Sequence, residues 1–203
     1  MARRASLEPR SRPPIAAGTV RPVALFDIRA FGDPVLRQRA AEITALDASL
    51  AQLAADMLDT MYDAPGVGLA APQVGVQRRM FVYDINDGNG PNTVINPVLM
   101  GHEGEQTSEE GCLSVPGLSW PLTRYEKVHL TGVDLDGNEL SIDAEGLLAR
   151  CFQHEVDHLD GMLLLERLDK RDRKGAMKAL RGRTLGFSDL AGESRARSVG
   201  HGS

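Results

Sequence analysis

A chain of 203 residues, 42% of them hydrophobic, is long enough for one compact domain with a real core, and it has no apolar run of 18 residues that would cross a membrane. Two cysteines, Cys112 and Cys151, are too few for a disulfide scaffold and fit a reduced, cytoplasmic setting. The net charge of −5 is unevenly spread: residues 166–183 hold eight basic and three acidic side chains, a local +5 on a body of −10.

The first twenty residues carry Arg3, Arg4, Arg10 and Arg12 without an apolar stretch, which argues against a secretory signal. An acid-poor, Arg- and Ser-containing start resembles an organellar transit peptide, but a bacterial extension is the simpler reading. Residues 1–21 are therefore expected to be a flexible extension, 22–186 the folded domain and 187–203 a disordered tail.

Within the domain, Leu46, Leu50, Leu53, Met57 and Met61 recur at spacings of three and four, which predicts a helix with one buried face. Asp47 or Ser49 is placed to cap its start, and Pro65 follows its end. Next comes the glycine-rich run 66–75, which formally contains Gly-x-Gly-x-x-Ala. It follows a helix rather than a strand, Pro72 would break any helix it opened, and no Gly-Lys-Ser/Thr is present, so no nucleotide cofactor is expected. Its glycines permit close approach of backbone to a ligand, with Gln73 as an amide donor; a purely structural turn reads equally well.

A strand is predicted over 79–85 through Met80-Phe81-Val82-Tyr83, a turn over 86–90, and another short strand from Thr93-Val94-Ile95. The segment 109–117, bracketed by glycine and proline, holds Cys112 in constrained, exposed backbone. Residues 127–134 and 139–142 form a hairpin about Asp136-Gly137. Residues 147–159 form a helix ended by Gly161, followed by strand-like 162–165 and a basic C-terminal helix. This order is α+β rather than regular βαβ alternation: a single domain of small mixed or antiparallel sheets around a central helix.

That helix carries Gln153-His154-Glu155-Val156-Asp157-His158. Two imidazoles one turn apart reach one metal ion, and Glu155 stands beside it as a base for bound water. Two half-buried structural histidines would show the same pattern; Asp157 and Asp160 nearby favour metal, as carboxylates able to orient the imidazoles. The third ligand follows by elimination. A metzincin needs a histidine where Leu164 stands, and Glu166 is too close, beyond a helix break, to serve as a thermolysin-type ligand. Cys112 remains, giving Cys-His-His with one open position, whereas Cys151 reads as a small buried hydrophobe.

Gly66-Val67-Gly68-Leu69-Ala70-Ala71-Pro72-Gln73, Glu110-Gly111-Cys112-Leu113-Ser114 and Gln153-His154-Glu155-Val156-Asp157-His158, intact and in order, resemble the three signature motifs of the peptide deformylase family. The similarity runs from about Arg29 through Leu168. It implies removal of the formyl group from N-formylmethionyl nascent peptides, with one divalent metal, ferrous iron in the cell and zinc or nickel in purified protein, on Cys112, His154 and His158. Glu155 is implied as the base, with the Gln73 amide and the Leu113 backbone N–H meeting the oxyanion. Gly68 is implied as a backbone contact to substrate, and Val67, Glu110, Gly111, Leu147, Cys151 and His154 as the lining of the methionine pocket. Arg150 departs from the aliphatic residue common at that pocket's rim. In some relatives the C-terminal helix docks on the ribosome, so the same contact is an expectation for the +5 segment.

Overall fold

The structure is a computed structural model describing residues 24–181. The expected extension 1–21 and tail 187–203 lie outside the described residues. Of the described residues, 24–163 form one compact unit and 164–181 a second.

Helix α1 (Ala48–Asp63) starts where Asp47 accepts the Leu50 N–H at 3.0 Å and the Ser49 hydroxyl at 2.6 Å, so both candidate residues contribute to one cap. It buries Leu50, Ala54, Met57 and Met61 on one face. Strands β1 (Gly68–Ala70), β2 (Met80–Tyr83), β3 (Asn92–Glu103), β6 (Lys127–Val133) and β7 (Glu139–Glu145) make an antiparallel sheet in the order β1-β2-β3-β6-β7. A separate two-stranded ribbon pairs β4 (Gln106–Gly111) with β5 (Ser119–Arg124).

The wholly apolar β2 follows from burial on both faces. Met80 and Val82 pack with α1, while Phe81 and Tyr83 turn to the other side and meet Phe152 of helix α2 (Gly146–Leu159). Strand β3 continues well past the expected Thr93–Ile95. A register shift between Ile95 and Val98 lets it pass Pro97, and Asn96, at φ +49°, exchanges two side-chain bonds with the Ile43 backbone.

Every residue of α2 from Ala149 to Leu159 is buried, so this helix is the centre of its unit. Gly161, at φ +73°, ends it as expected, and a Cβ there would lie 2.8 Å from the Arg37 backbone.

The strand-like expectation for 162–165, a segment that straddles the division between the units, fails. A short helix, α3 (Leu164–Arg167), begins there, with Leu164 and Leu165 buried. A four-residue apolar run cannot separate strand from helix by periodicity. Asp169 then accepts the Asp172 N–H at 2.8 Å and opens a helical stretch over 170–181. Its basic residues Lys170, Arg171, Arg173, Lys174, Lys178 and Arg181 are exposed.

Candidate active site

Three elements converge beside α2. The helical repeat sets His154 and His158 on one face with Nε2 atoms 3.2 Å apart, and Cys112, in the turn just past β4, brings Sγ to 3.2 Å from His158 Nε2. The three donor atoms all lie within 4.8 Å of one another. A thiolate and two imidazoles at those separations fit one tetrahedrally held ion with its fourth position open.

The His154 orientation comes from Glu110, whose Oε1 lies 2.7 Å from His154 Nδ1 and leaves Nε2 for the site. Glu110 also accepts from Arg124, at 2.7 and 3.2 Å, and from Arg150 at 2.7 Å. Burial alone would raise its carboxyl, but the His154 and Arg124 hydrogen bonds and charges hold it well below the usual carboxylate range. The two aspartates expected to orient the imidazoles do other work. Asp157 accepts from Arg124 Nη1 at 2.6 Å, and Asp160 pairs with buried Arg79 at 2.7 Å. Arg124 was not among the sequence candidates. The signal was present in β5, where buried Leu122 and Arg124 alternate with exposed neighbours, so an arginine occupies an inward-facing position.

Burial would likewise raise the Cys112 thiol, yet His158 and His154 draw it well below its ordinary value. Burial opposes the His154 imidazolium too, and the Cys112 thiolate and Glu110 overcome it, raising that pKa well above normal. Cys112 and His154 thus each favour the other's charged form, the thiolate beside the imidazolium.

Glu155 is 3% exposed, and its Oε2 is buried without a hydrogen-bond partner from the protein. Burial pushes its carboxyl up to about 7, against the pull of the two imidazoles. A carboxylate not spent on structure and poised near neutrality suits proton transfer. Gly68 makes the room for it, since a Cβ at that position would collide with the Glu155 carboxylate and lie 2.9 Å from Cys151 Sγ.

Gln73, 1% exposed, sits in the 3-10 turn after β1. Its Oε1 accepts the Ala70 N–H at 2.9 Å, while Nε2 lies 3.3 Å from Ser114 Oγ and 3.7 Å from Cys112 Sγ. The Ala70 bond fixes which end of the amide faces the site.

These groups open on a cavity of about 840 Å³. Val67, Gly68, Gln73, Glu110, Gly111, Cys112, Leu113, Leu147, Cys151, His154 and Glu155 all line it; His158 is buried behind at 1% exposure. Leu147, half exposed, stands at the mouth. Cys151 is buried, as expected, with Sγ 3.7 Å from the Val67 carbonyl. Arg150 lines the cavity without adding charge to its rim: its guanidinium is buried on Glu110, the Leu122 carbonyl and the Gln106 carbonyl.

Residues 25–174 match the family model for polypeptide deformylase. A peptide deformylase 1 of Corynebacterium efficiens is 57% identical over 159 residues, covering 76% of this chain and 94% of the relative. A peptide deformylase crystal structure from Legionella pneumophila superposes with a TM-score of 0.76 at 42% identity, covering 81% of this chain and 98% of that one. A Met-Ala-Ser-bound class I type b peptide deformylase from Acinetobacter baumannii superposes with a TM-score of 0.67 at 32% identity, covering 72% and 99%.

Proposed function

The chain belongs to the peptide deformylase family, and on that footing we propose how its own residues carry out the family's reaction, removal of the N-terminal formyl group from new polypeptides. The observation that carries the assignment is the meeting, at one cavity, of the Cys112-His154-His158 donor set with a buried carboxylate, Glu155, that no structural bond uses.

Cys112, His154 and His158 would hold one divalent ion, which when bound supplies Lewis acidity and makes a water molecule acidic enough to be deprotonated near neutral pH. We assign ferrous iron to the site in the cell; zinc and nickel suit the same thiolate and imidazole donors. Glu155 takes the proton from the attacking water and returns it to the departing amine, so that formate and a free N-terminus result. Gln73 Nε2–H and the Leu113 backbone N–H donate to the formyl oxygen as negative charge grows on it. Val67, Gly68, Glu110, Gly111, Leu147 and Cys151 form the slot for the methionine side chain, a flexible thioether that packs well against an adaptable, mainly apolar wall. Glu110 belongs there because its charge is neutralised inside the protein by Arg124, Arg150 and His154. The Met-Ala-Ser bound to the Acinetobacter baumannii relative is a peptide of the kind this slot would release.

We place the reaction in the bacterial cytoplasm, within a catalytic domain spanning 22–186. Among the described residues no helix is long and apolar enough to cross a membrane. The exposed basic residues of 170–181 are assigned as a contact to ribosomal RNA beside the emerging chain. Purified under anaerobic conditions, the full chain is expected to release formate from formyl-Met-Ala-Ser. Metal analysis of the same sample should find one ion per chain, and Glu155→Ala and Cys112→Ser should each abolish turnover. Full activity in Glu155→Ala would refute the assignment of the base.

A further inference from the structure

We infer that Arg150 is a positioning residue for the metal centre: its guanidinium fastens the β4–β5 ribbon, which delivers Cys112, to α2, which delivers His154 and His158. The ligands come from two bodies that no sheet joins, because β4 and β5 pair only with each other and the five-stranded sheet excludes them. The hydrogen bonds between ribbon and helix run through side chains. Arg124 reaches Asp157 at 2.6 Å, Gln106 reaches the Gly146 carbonyl at 2.8 Å, and Glu110 meets His154 at 2.7 Å.

Arg150 is the tie that grips the ribbon at several points at once. It donates to the Gln106 carbonyl at the start of β4 (3.1 Å), to Glu110 near its end (2.7 Å), and across to the Leu122 carbonyl of β5 (3.1 Å). A planar guanidinium serves such divergent acceptors; an ammonium or an aliphatic chain does not. Glu110 is two residues from Cys112 in the chain and holds His154 Nδ1 through its other oxygen. Slack in the ribbon therefore displaces the thiolate and tilts one imidazole together. With its side chain 7% exposed and its charge met by Glu110, Arg150 presents no free cation to substrate. Its effect passes through the ligands.

The inference rests on Cys112, His154 and His158 being the ligands, so the test carries a control for that reading. The full chain is loaded with cobalt(II), and two signals are followed: the thiolate-to-cobalt charge-transfer band and the rate of cobalt loss to excess chelator. Arg150→Met keeps length and bulk while removing the donors, and Glu110 retains Arg124 and His154. We expect cobalt to leave about tenfold faster, the band to shift or weaken, and kcat for formyl-Met-Ala-Ser to fall about tenfold with KM nearly unchanged, as disturbance of ligand-orienting groups produces. Should Arg150→Met fail to fold, Arg150→Gln serves for the same measurements. A folded variant with the parent's release rate and band would overturn the inference even if its melting temperature dropped, since that is what simple packing predicts. Cys112→Ser run alongside separates the two failures. If it holds cobalt like the parent, the ligand assignment falls; if it loses cobalt while the Arg150 variant does not, only the clamp falls.

Discussion

Replacing Glu110 by glutamine removes the charge on which the buried half of the site is built. The carboxylate accepts four hydrogen bonds, from Arg124 Nε and Nη2, Arg150 Nη1 and His154 Nδ1, and its partners' side chains are only 5% (Arg124), 7% (Arg150) and 11% (His154) exposed. Glutamine offers one accepting oxygen and turns an NH2 group toward donors, while Asp157 still pairs with Arg124. Breaking a buried pair on one side costs about 3–5 kcal/mol, a large part of the roughly 5–15 kcal/mol that holds a domain folded. The exposed pair Lys127–Glu145, at 3.6 Å with side chains 56% and 76% exposed, is the internal comparison; Glu145→Gln should cost less than about 1 kcal/mol. Urea unfolding of the chelated, metal-free chain reads both through the midpoint at constant slope. The pH dependence has a definite sign. Because the folded-state pKa of Glu110 is depressed, its contribution is complete above its unfolded value near 4.5 and is lost only as pH falls through the folded value. The gap between parent and Glu110→Gln should close in acid below about pH 5, and toward higher pH it should narrow where His154, whose imidazolium Glu110 supports, loses its proton. A Glu110→Gln cost below about 1 kcal/mol at pH 7 would refute the view that this cluster is held by charge.

Gln73→Ala should lower kcat by about 10²–10³ with a small change in KM, because the amide acts on charge that grows during the reaction; a loss below tenfold would end its role as an oxyanion donor. Gly68→Ala pushes a methyl into the Glu155 carboxylate and toward Cys151 Sγ, and a displacement near 1 Å should cost about 10²-fold in kcat/KM; near-parent activity would count against the packing described. The Glu155 carboxyl, at about 7 in the metal-free chain, must be ionised to act, and a nearby cation favours its ionised form. The acid limb of the kcat/KM profile should therefore fall below about pH 7, and a limb above 7 would contradict the assignment. Since this pKa is raised in the folded state, its stability cost is absent below 4.5 and complete above about 7. Metal-free Glu155→Gln should thus be more stable than the parent by up to about 3 kcal/mol at pH 8 and no more stable at pH 4, as denaturant midpoints would show.

Much of the site was legible because its chemistry is local. A turn of 3.6 residues puts His154 and His158 on one face whatever surrounds them, Asp47 caps α1 through residues beside it, and Gly161 ends α2 through its own backbone. Elimination along the chain reached Cys112, and the structure puts its Sγ beside both imidazoles. Strands β1 and β4 were not legible, and β5 was not read although Trp120, Leu122 and Arg124 alternate along it. Three residues are too few to show a period, and Gln106-Thr107-Ser108-Glu109-Glu110 has no apolar alternation; pairing with Trp120 to Arg124 makes that stretch a strand.

The division of labour among the charges also lay beyond local reading. Asp157 and Asp160 looked like the natural partners of the imidazoles because they adjoin them in the chain, yet on a helix that nearness turns each toward a different neighbour, Arg124 and Arg79. The carboxylate that orients His154 comes from 44 residues away, and the arginine read as an oddity of the pocket rim proved to be buried against it. Sequence by itself singled out the groups that the proposed chemistry uses, because residue type and helical repeat are short-range properties. Tertiary structure alone decided what holds those groups in place, because a buried charge is satisfied by whichever partner packing brings to it.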